Sequence, residues 1–153
     1  MTIHLATDHA GFEHKQAVVF WLTQEGYTVV DHGAVTYDEL DDFPDFIAKA
    51  AAAVNNDSKS RGIIFGGSGQ GEAMMANRYP KVRAAVYYGG NKNIPTLSRQ
   101  HNDANVLSIG ARFVDINEAK QVIWDWLHAG ALPDKKYARR NKKMAKFAKD
   151  INL

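Results

Sequence analysis

Short apolar runs alternate along this chain with longer stretches in which apolar residues recur every three or four positions. Five of the runs read as strands, at 3–7, 27–31, 62–65, 83–88 and 106–109, and six amphipathic stretches read as helices, at 12–25, 44–54, 71–78, 94–101, 117–127 and 135–149. Strand and helix patterns that take turns in this way predict repeated β-α units around a largely parallel, doubly wound sheet. Several boundaries have local causes. Gly26 stands where the first helix must stop, Gly130 and Pro133 separate the last two helices, and Asp115 followed by Glu118 is an N-cap with an acid three places on. No repeat, low-complexity segment or flexible linker interrupts the pattern, so residues 1–153 are expected to form one domain, with its ligand site beyond the carboxyl ends of the strands.

Composition narrows the function classes. With 153 residues, 45% hydrophobic and 24% charged, the chain has enough apolar content for one well-buried core. No stretch approaches the roughly 18 uninterrupted apolar residues of a membrane span, so no membrane partner is expected. The start of the chain shows neither a basic segment nor an apolar leader, which predicts a cytoplasmic protein. The absence of cysteine excludes disulfides, thiolate metal sites and cysteine nucleophiles together. The net charge of +2 conceals an asymmetry: residues 133–153 hold eight Lys or Arg against two Asp, leaving −4 on the rest, with acids gathered at Asp38, Glu39, Asp41, Asp42 and Asp45. A basic tail favours an anion, whether a small phosphate or a nucleic acid, or is a solvated helix face.

Three segments carry the candidate chemistry. The first strand runs into Asp8-His9-Ala10-Gly11-Phe12, a carboxylate and an imidazole at a strand's carboxyl end; Asp8 also has the plainer role of helix N-cap. The third strand runs into Gly66-Gly67-Ser68-Gly69-Gln70-Gly71-Glu72, which fits no P-loop, dinucleotide fingerprint or nucleophile elbow and is left as an anion cradle, with Ser68 as a hydroxyl donor and Glu72 in the first helical turn. The third is Ser98-Arg99-Gln100-His101-Asn102-Asp103-Ala104-Asn105, leading to Gly110-Ala111-Arg112; taken alone, His101 is more simply a cap for terminal carbonyls. Lys136 and Arg140 are four apart on one helical face and suit a phosphate clamp. His4, His9, His14, His32, His101 and His128 show no metal-ligand spacing, so no metal or other cofactor is expected. Trp21, Trp124 and Trp126 sit in amphipathic stretches as packing residues, which leaves no stacking platform for single-stranded nucleic acid.

Together these segments, with Ala76-Asn77-Arg78, resemble the type B ribose-5-phosphate isomerases and their galactose-6-phosphate isomerase relatives over nearly the whole chain. The resemblance implies a Rossmann-like sheet of about five parallel strands with helices on both faces and a basic C-terminal helix. It implies metal-independent interconversion of ribose 5-phosphate and ribulose 5-phosphate through a cis-enediolate, in a homodimer with its sites at the subunit interface. Glu72 would move the proton between C1 and C2, and His101 would open the furanose ring. Asp8 and His9 would hold the sugar, with His9 near the ring or the phosphate, the backbone of Gly67, Ser68, Gly69, Gln70 and Gly71 would receive the enediolate oxygens, and Asn102, Arg112, Lys136 and Arg140 would bind hydroxyls and phosphate. One branch of the family has a base cysteine where this chain has Gly66, so the chain falls with the glutamate branch. It departs from common members at Phe43, where tyrosine is frequent, at Lys136, where arginine is usual, and in Tyr88-Gly89-Gly90-Asn91-Lys92-Asn93-Ile94-Pro95. A six-carbon or deoxy sugar phosphate, or a phosphosugar-binding module without turnover, stays open as an alternative.

Overall fold

The computed structural model describes residues 1–151. Five strands, β1 (Thr2–Thr7), β2 (Thr28–Asp31), β3 (Arg61–Gly66), β4 (Ala84–Tyr87) and β5 (Val106–Gly110), form one sheet in the order β2-β1-β3-β5-β4, and every neighbouring pair is parallel. Six helices connect or follow them: α1 (Phe12–Gln24), α2 (Pro44–Asn56), α3 (Gln70–Ala76), α4 (Asn93–Asn102), α5 (Ile116–His128) and α6 (Lys135–Asp150). The expected α/β architecture is present, with element ends displaced by one or two residues. A single 3-10 turn, His9–Gly11, precedes α1.

The hydrophobic pattern explains the layering. The central strands β1, β3 and β5 are buried almost throughout because helices cover both faces, whereas the edge strand β2 is largely exposed. Successive side chains of one strand feed opposite faces: Ile3, Leu5, Ile63 and Phe65 pack with Val18 and Leu22 of α1 and Val122, Ile123 and Trp126 of α5. Ala6 and Ile64 pack instead with Ile47, Ala50, Ala51 and Val54 of α2 and Ala76 of α3. Trp126 is buried in the first cluster and Trp21 leans on Trp124 with ring centroids 6.2 Å apart, so all three indoles serve packing.

Two features of this frame position the site. The chain leaves β1 for β2 on one side and then returns to β3 on the other, so the carboxyl ends of β1 and β3 bound the crevice at which strand order reverses. Thr7 pairs with Phe65 there, and the Thr7 hydroxyl donates to the Phe65 carbonyl at 3.1 Å. The segment after β2 is tied to the same place. Thr7 and residues 33–34 exchange two backbone hydrogen bonds of 2.8 Å, and the fully buried Lys15 donates to both Asp31 carboxylate oxygens at 2.6 Å and to the Ala34 carbonyl at 2.7 Å. An ammonium with no water around it needs such a set of oxygens, and the result is a firm attachment of the 31–34 segment to α1.

Candidate active site

Glu72 occupies the centre of the crevice. It lies in the first turn of α3, is 4% exposed, and packs over Gly66 so closely that a Cβ at residue 66 would overlap its carboxylate. Gly66 therefore has a steric cause: a side chain at 66 and the Glu72 carboxylate claim the same space. Burial pushes the Glu72 carboxyl above its ordinary value; its own backbone N–H bond pulls back, and the Asp8 carboxylate adds to the rise.

The loop beneath it is held open by small residues. Gly69 adopts φ +77°, a left-handed conformation that favours glycine, and its carbonyl accepts the buried Ser108 hydroxyl at 2.6 Å. Among the described residues the amides of Ser68 and Gly69 have no protein acceptor, which leaves them for an oxyanion. Gly71 lies against the Phe43 ring, where a Cβ would meet Cζ at 2.9 Å, and a Cβ on Gly67 would meet the Arg112 guanidinium at 3.3 Å. Arg112 also donates its backbone N–H to the Gly67 carbonyl at 3.1 Å, so its cation lies at the rim of the loop.

Asp8 and His9 complete this side. Asp8 is 7% exposed and its Oδ1 accepts the Ala10 amide at 3.0 Å, so it caps the 3-10 turn as its plainer role requires while its carboxylate faces the field of Glu72. Asp41 Oδ1 accepts from His9 twice, from the backbone amide at 3.0 Å and at ring Nδ1 at 2.7 Å. Asp8, His9 and Asp41 each offer a ligand atom within 4.8 Å of the others, though Asp41 spends Oδ1 on His9.

The other expected residues lie elsewhere. α4 connects parallel strands and so runs back along the sheet, leaving His101 and Asn102 beside Arg83, whose Nε donates to the Asn102 carbonyl at 3.2 Å just before β4 begins. That is the amino end of the sheet, about 13 Å from the glycine loop at ~3.3 Å per residue along β5. His101 does not cap carbonyls with its ring: the imidazole stacks on Tyr137 of α6, centroids 4.3 Å apart and planes 14° off parallel, and its carbonyl accepts the Asn141 amide at 3.2 Å. Lys136 lies 4.9 Å from the Tyr137 ring centroid, and Arg140 follows one turn on along α6. A groove of about 610 Å3 opens at the same end, between Asn77, Arg83, Asn102, Asn141 and Met144. Within one chain, then, Asp8, His9, residues 67–71, Glu72 and Arg112 form one constellation, and His101, Asn102, Lys136 and Arg140 form another at the opposite end of the sheet.

A sequence profile described as Ribose/Galactose Isomerase matches residues 3–144. The chain belongs to the ribose/galactose isomerase family. Ribose-5-phosphate isomerase B of Mycolicibacterium paratuberculosis is 40% identical over 123 residues, covering 80% of this chain and 76% of that protein. The Escherichia coli protein of the same name is 36% identical over 127 residues, 83% of each chain. Among solved structures, ribose-5-phosphate isomerase B of Mycoplasma genitalium with bound ribulose-5-phosphate superposes with a TM-score of 0.91 at 34% identity, covering 97% of this chain and 96% of that one. The Clostridium thermocellum isomerase B also reaches 0.91, at 36% identity over 99% of both chains.

Sequence reasoning missed part of this family member's site. Asp41 was legible only as one of several clustered acids, and nothing in its spacing tied it to His9, 32 residues away. Ser108 carries no signal in a buried strand, since its hydroxyl acquires a purpose only when β5 lies beside the Gly69 carbonyl.

Proposed function

We propose that this protein interconverts ribose 5-phosphate and ribulose 5-phosphate, with Glu72 as the base. In the open-chain aldose, Glu72 takes the proton from C2; the electron pair forms the C1–C2 double bond, the C1 carbonyl oxygen becomes an oxyanion, and the proton returns at C1 after a hydrogen shifts from O2 to O1. The observation that carries this reading is the buried Glu72 carboxyl beside unpartnered loop amides. Burial raises its affinity for a proton toward working pH, where a carboxylate both takes and returns one, and the amides face the place where negative charge develops. The names of the similar proteins, and the ribulose-5-phosphate bound in one of them, support the choice of substrate. Asp8 and His9 hold the sugar beside this base, and Arg112 meets its hydroxyls or phosphate.

The reading includes a homodimer. A second copy related by a two-fold axis carries its His101, Asn102, Lys136 and Arg140 to the glycine loop of the first, and the exchange is mutual. The surface supports this: α6 buries none of its residues, and Met144 and Phe147 on it are 48% and 65% exposed. In the dimer His101 supplies the proton that opens the furanose ring, and Lys136 and Arg140 clamp the phosphate far from the reacting carbons, so that binding there positions C1 and C2. The reading uses no metal and includes a cytoplasmic location; no helix among the described residues is long and apolar enough to cross a membrane.

Conversion of ribose 5-phosphate in deuterated buffer containing chelator tests the reading, with Glu72→Gln alongside and with allose 6-phosphate and galactose 6-phosphate as competitors. The expected result is chelator-resistant turnover with deuterium entering the transferred position, lost in Glu72→Gln. A fully active Glu72→Gln overturns the base, and preferred turnover of a six-carbon sugar overturns the substrate.

A further inference from the structure

His9 is held with more care than a residue that merely touches a sugar requires. Asp41 Oδ1 receives both its backbone amide, at 3.0 Å, and its ring Nδ1, at 2.7 Å, which fixes the main chain and the ring together. The Asp41 side chain is 8% exposed against 24% for His9, so the carboxylate sits behind the imidazole and the imidazole faces solvent. Asp41 Oδ2 is buried without a partner, so among the described residues the whole hydrogen-bonding effort of this carboxylate goes to His9. Tyr37 closes a second side, its ring edge-on to the imidazole with centroids 6.3 Å apart. Nε2 has no protein partner among the described residues.

We infer that Asp41 is the positioning residue of His9: it keeps the proton on Nδ1 and so presents Nε2, aimed and unprotonated in the neutral ring, to a hydroxyl of the sugar. An acceptor on one imidazole nitrogen decides which tautomer the ring adopts, and a carboxylate does so more firmly than a carbonyl because the bond is charge-assisted. A carboxylate that orients an imidazole without touching the substrate is a recurrent catalytic device. The inference rests on the reading of His9 as a sugar-holding residue, and its test separates the two.

The test joins a spectroscopic readout to a double-mutant cycle. Nitrogen-resolved NMR of the His9 ring in the free protein is expected to show the Nδ1–H tautomer in the wild type, and a mixture or the Nε2–H tautomer in Asp41→Ala. This measurement needs no turnover, so it decides the tautomer even if ribose 5-phosphate proves not to be the substrate. In activity, Asp41→Ala is expected to lower kcat/KM for ribose 5-phosphate by about 10- to 100-fold, by analogy with the loss when the carboxylate behind a metal-bound imidazole is removed. In a His9→Ala background the same substitution is expected to cost much less, because only the bond from the backbone amide of residue 9 is left to lose. If Asp41→Ala does not fold, Asp41→Asn, which keeps the shape and loses the charge, carries the same cycle with a smaller loss that again shrinks without His9. An Nε2–H tautomer in the wild type, or losses that multiply in the double variant, overturns the inference.

Discussion

Replacing Gly66 with alanine puts a methyl group where the Glu72 carboxylate now lies, and the crevice offers a direct measure of what that does. All three carboxyl atoms of Glu72 would overlap the new Cβ, whereas ordinary van der Waals contact begins at 3.4 Å. The carboxylate has to retreat by at least about 1 Å, and a misplacement of that size between base and reacting carbon costs on the order of 100-fold in rate. That corresponds to about 2.7 kcal/mol of lost transition-state stabilisation. The crowding also carries a folding cost of roughly 1–3 kcal/mol, or a drop of about 3–10 °C in Tm for a chain of this size. The assay is kcat/KM for ribose 5-phosphate together with thermal unfolding, with two other glycines as controls. At Gly67 a Cβ meets only the movable end of Arg112, at 3.3 Å, and at Gly26, with φ +85°, nothing lies within 4 Å. Gly67→Ala is expected to lose far less activity than Gly66→Ala, and Gly26→Ala to lose stability through backbone strain alone, by about 1–2 kcal/mol, with activity unchanged. A Gly66→Ala protein with wild-type kcat/KM and Tm refutes the reasoning, since Glu72 would then be neither held at Gly66 nor needed there.

Three further outcomes are expected. Glu72→Gln lowers kcat by about 10²- to 10⁴-fold, the usual worth of a general base, with phosphate affinity retained; it also removes a pH dependence of stability. Because the native carboxyl has a raised pKa, the folded state holds its proton to higher pH than the unfolded chain, so this group's contribution is full below the ordinary value of 4.5 and is lost as pH rises through the folded value; Tm against pH in the two proteins measures it. Mixing inactive Glu72→Gln with inactive His101→Ala and exchanging subunits restores about a quarter of wild-type activity, because half the dimers are then mixed and each has one intact site; no recovery after verified exchange counts against a shared site. The buried His4 and half-buried His32, joined Nδ1 to Nε2 at 2.9 Å, predict the opposite pH behaviour to Glu72. Burial lowers both pKa values, and for His32 the neighbouring His4 lowers it further, so the unfolded chain binds more protons below the ordinary value of 6.5 and stability falls on acidification through the lowered range. His32→Gln should flatten that limb of Tm against pH, and an unchanged acid limb would remove the pair as its cause.

Much of this protein is legible in its sequence because the information is local. Alternating runs mark β1 to β5 and α1 to α6 within a residue or two, since burial on both faces demands unbroken apolar strands such as Ile63-Ile64-Phe65 and one-sided burial demands helical periodicity. The N-cap at Asp115 accepts the Asn117 and Glu118 amides at 2.8 and 2.9 Å, as its spacing required. Asp8, Glu72 and the glycines between 66 and 71 stand out for the same reason: their chemistry is concentrated in a few consecutive residues.

Strand order is different in kind, because it is set by which faces pack together and not by any neighbour in the chain. The pairing of β1 with β3 brings Asp8 and Gly66 to one crevice, and the return direction of α4 carries His101 to the other end of the sheet, about 13 Å away along β5, to the stack with Tyr137. The grip of Asp41 on His9 and of Ser108 on Gly69 likewise spans 32 and 39 residues, and each bond exists because a separate piece of core has put its two ends side by side. The sequence by itself determined which groups could do the chemistry; tertiary structure decided which of them meet, since proximity between distant residues comes from the packing of the sheet and its helices.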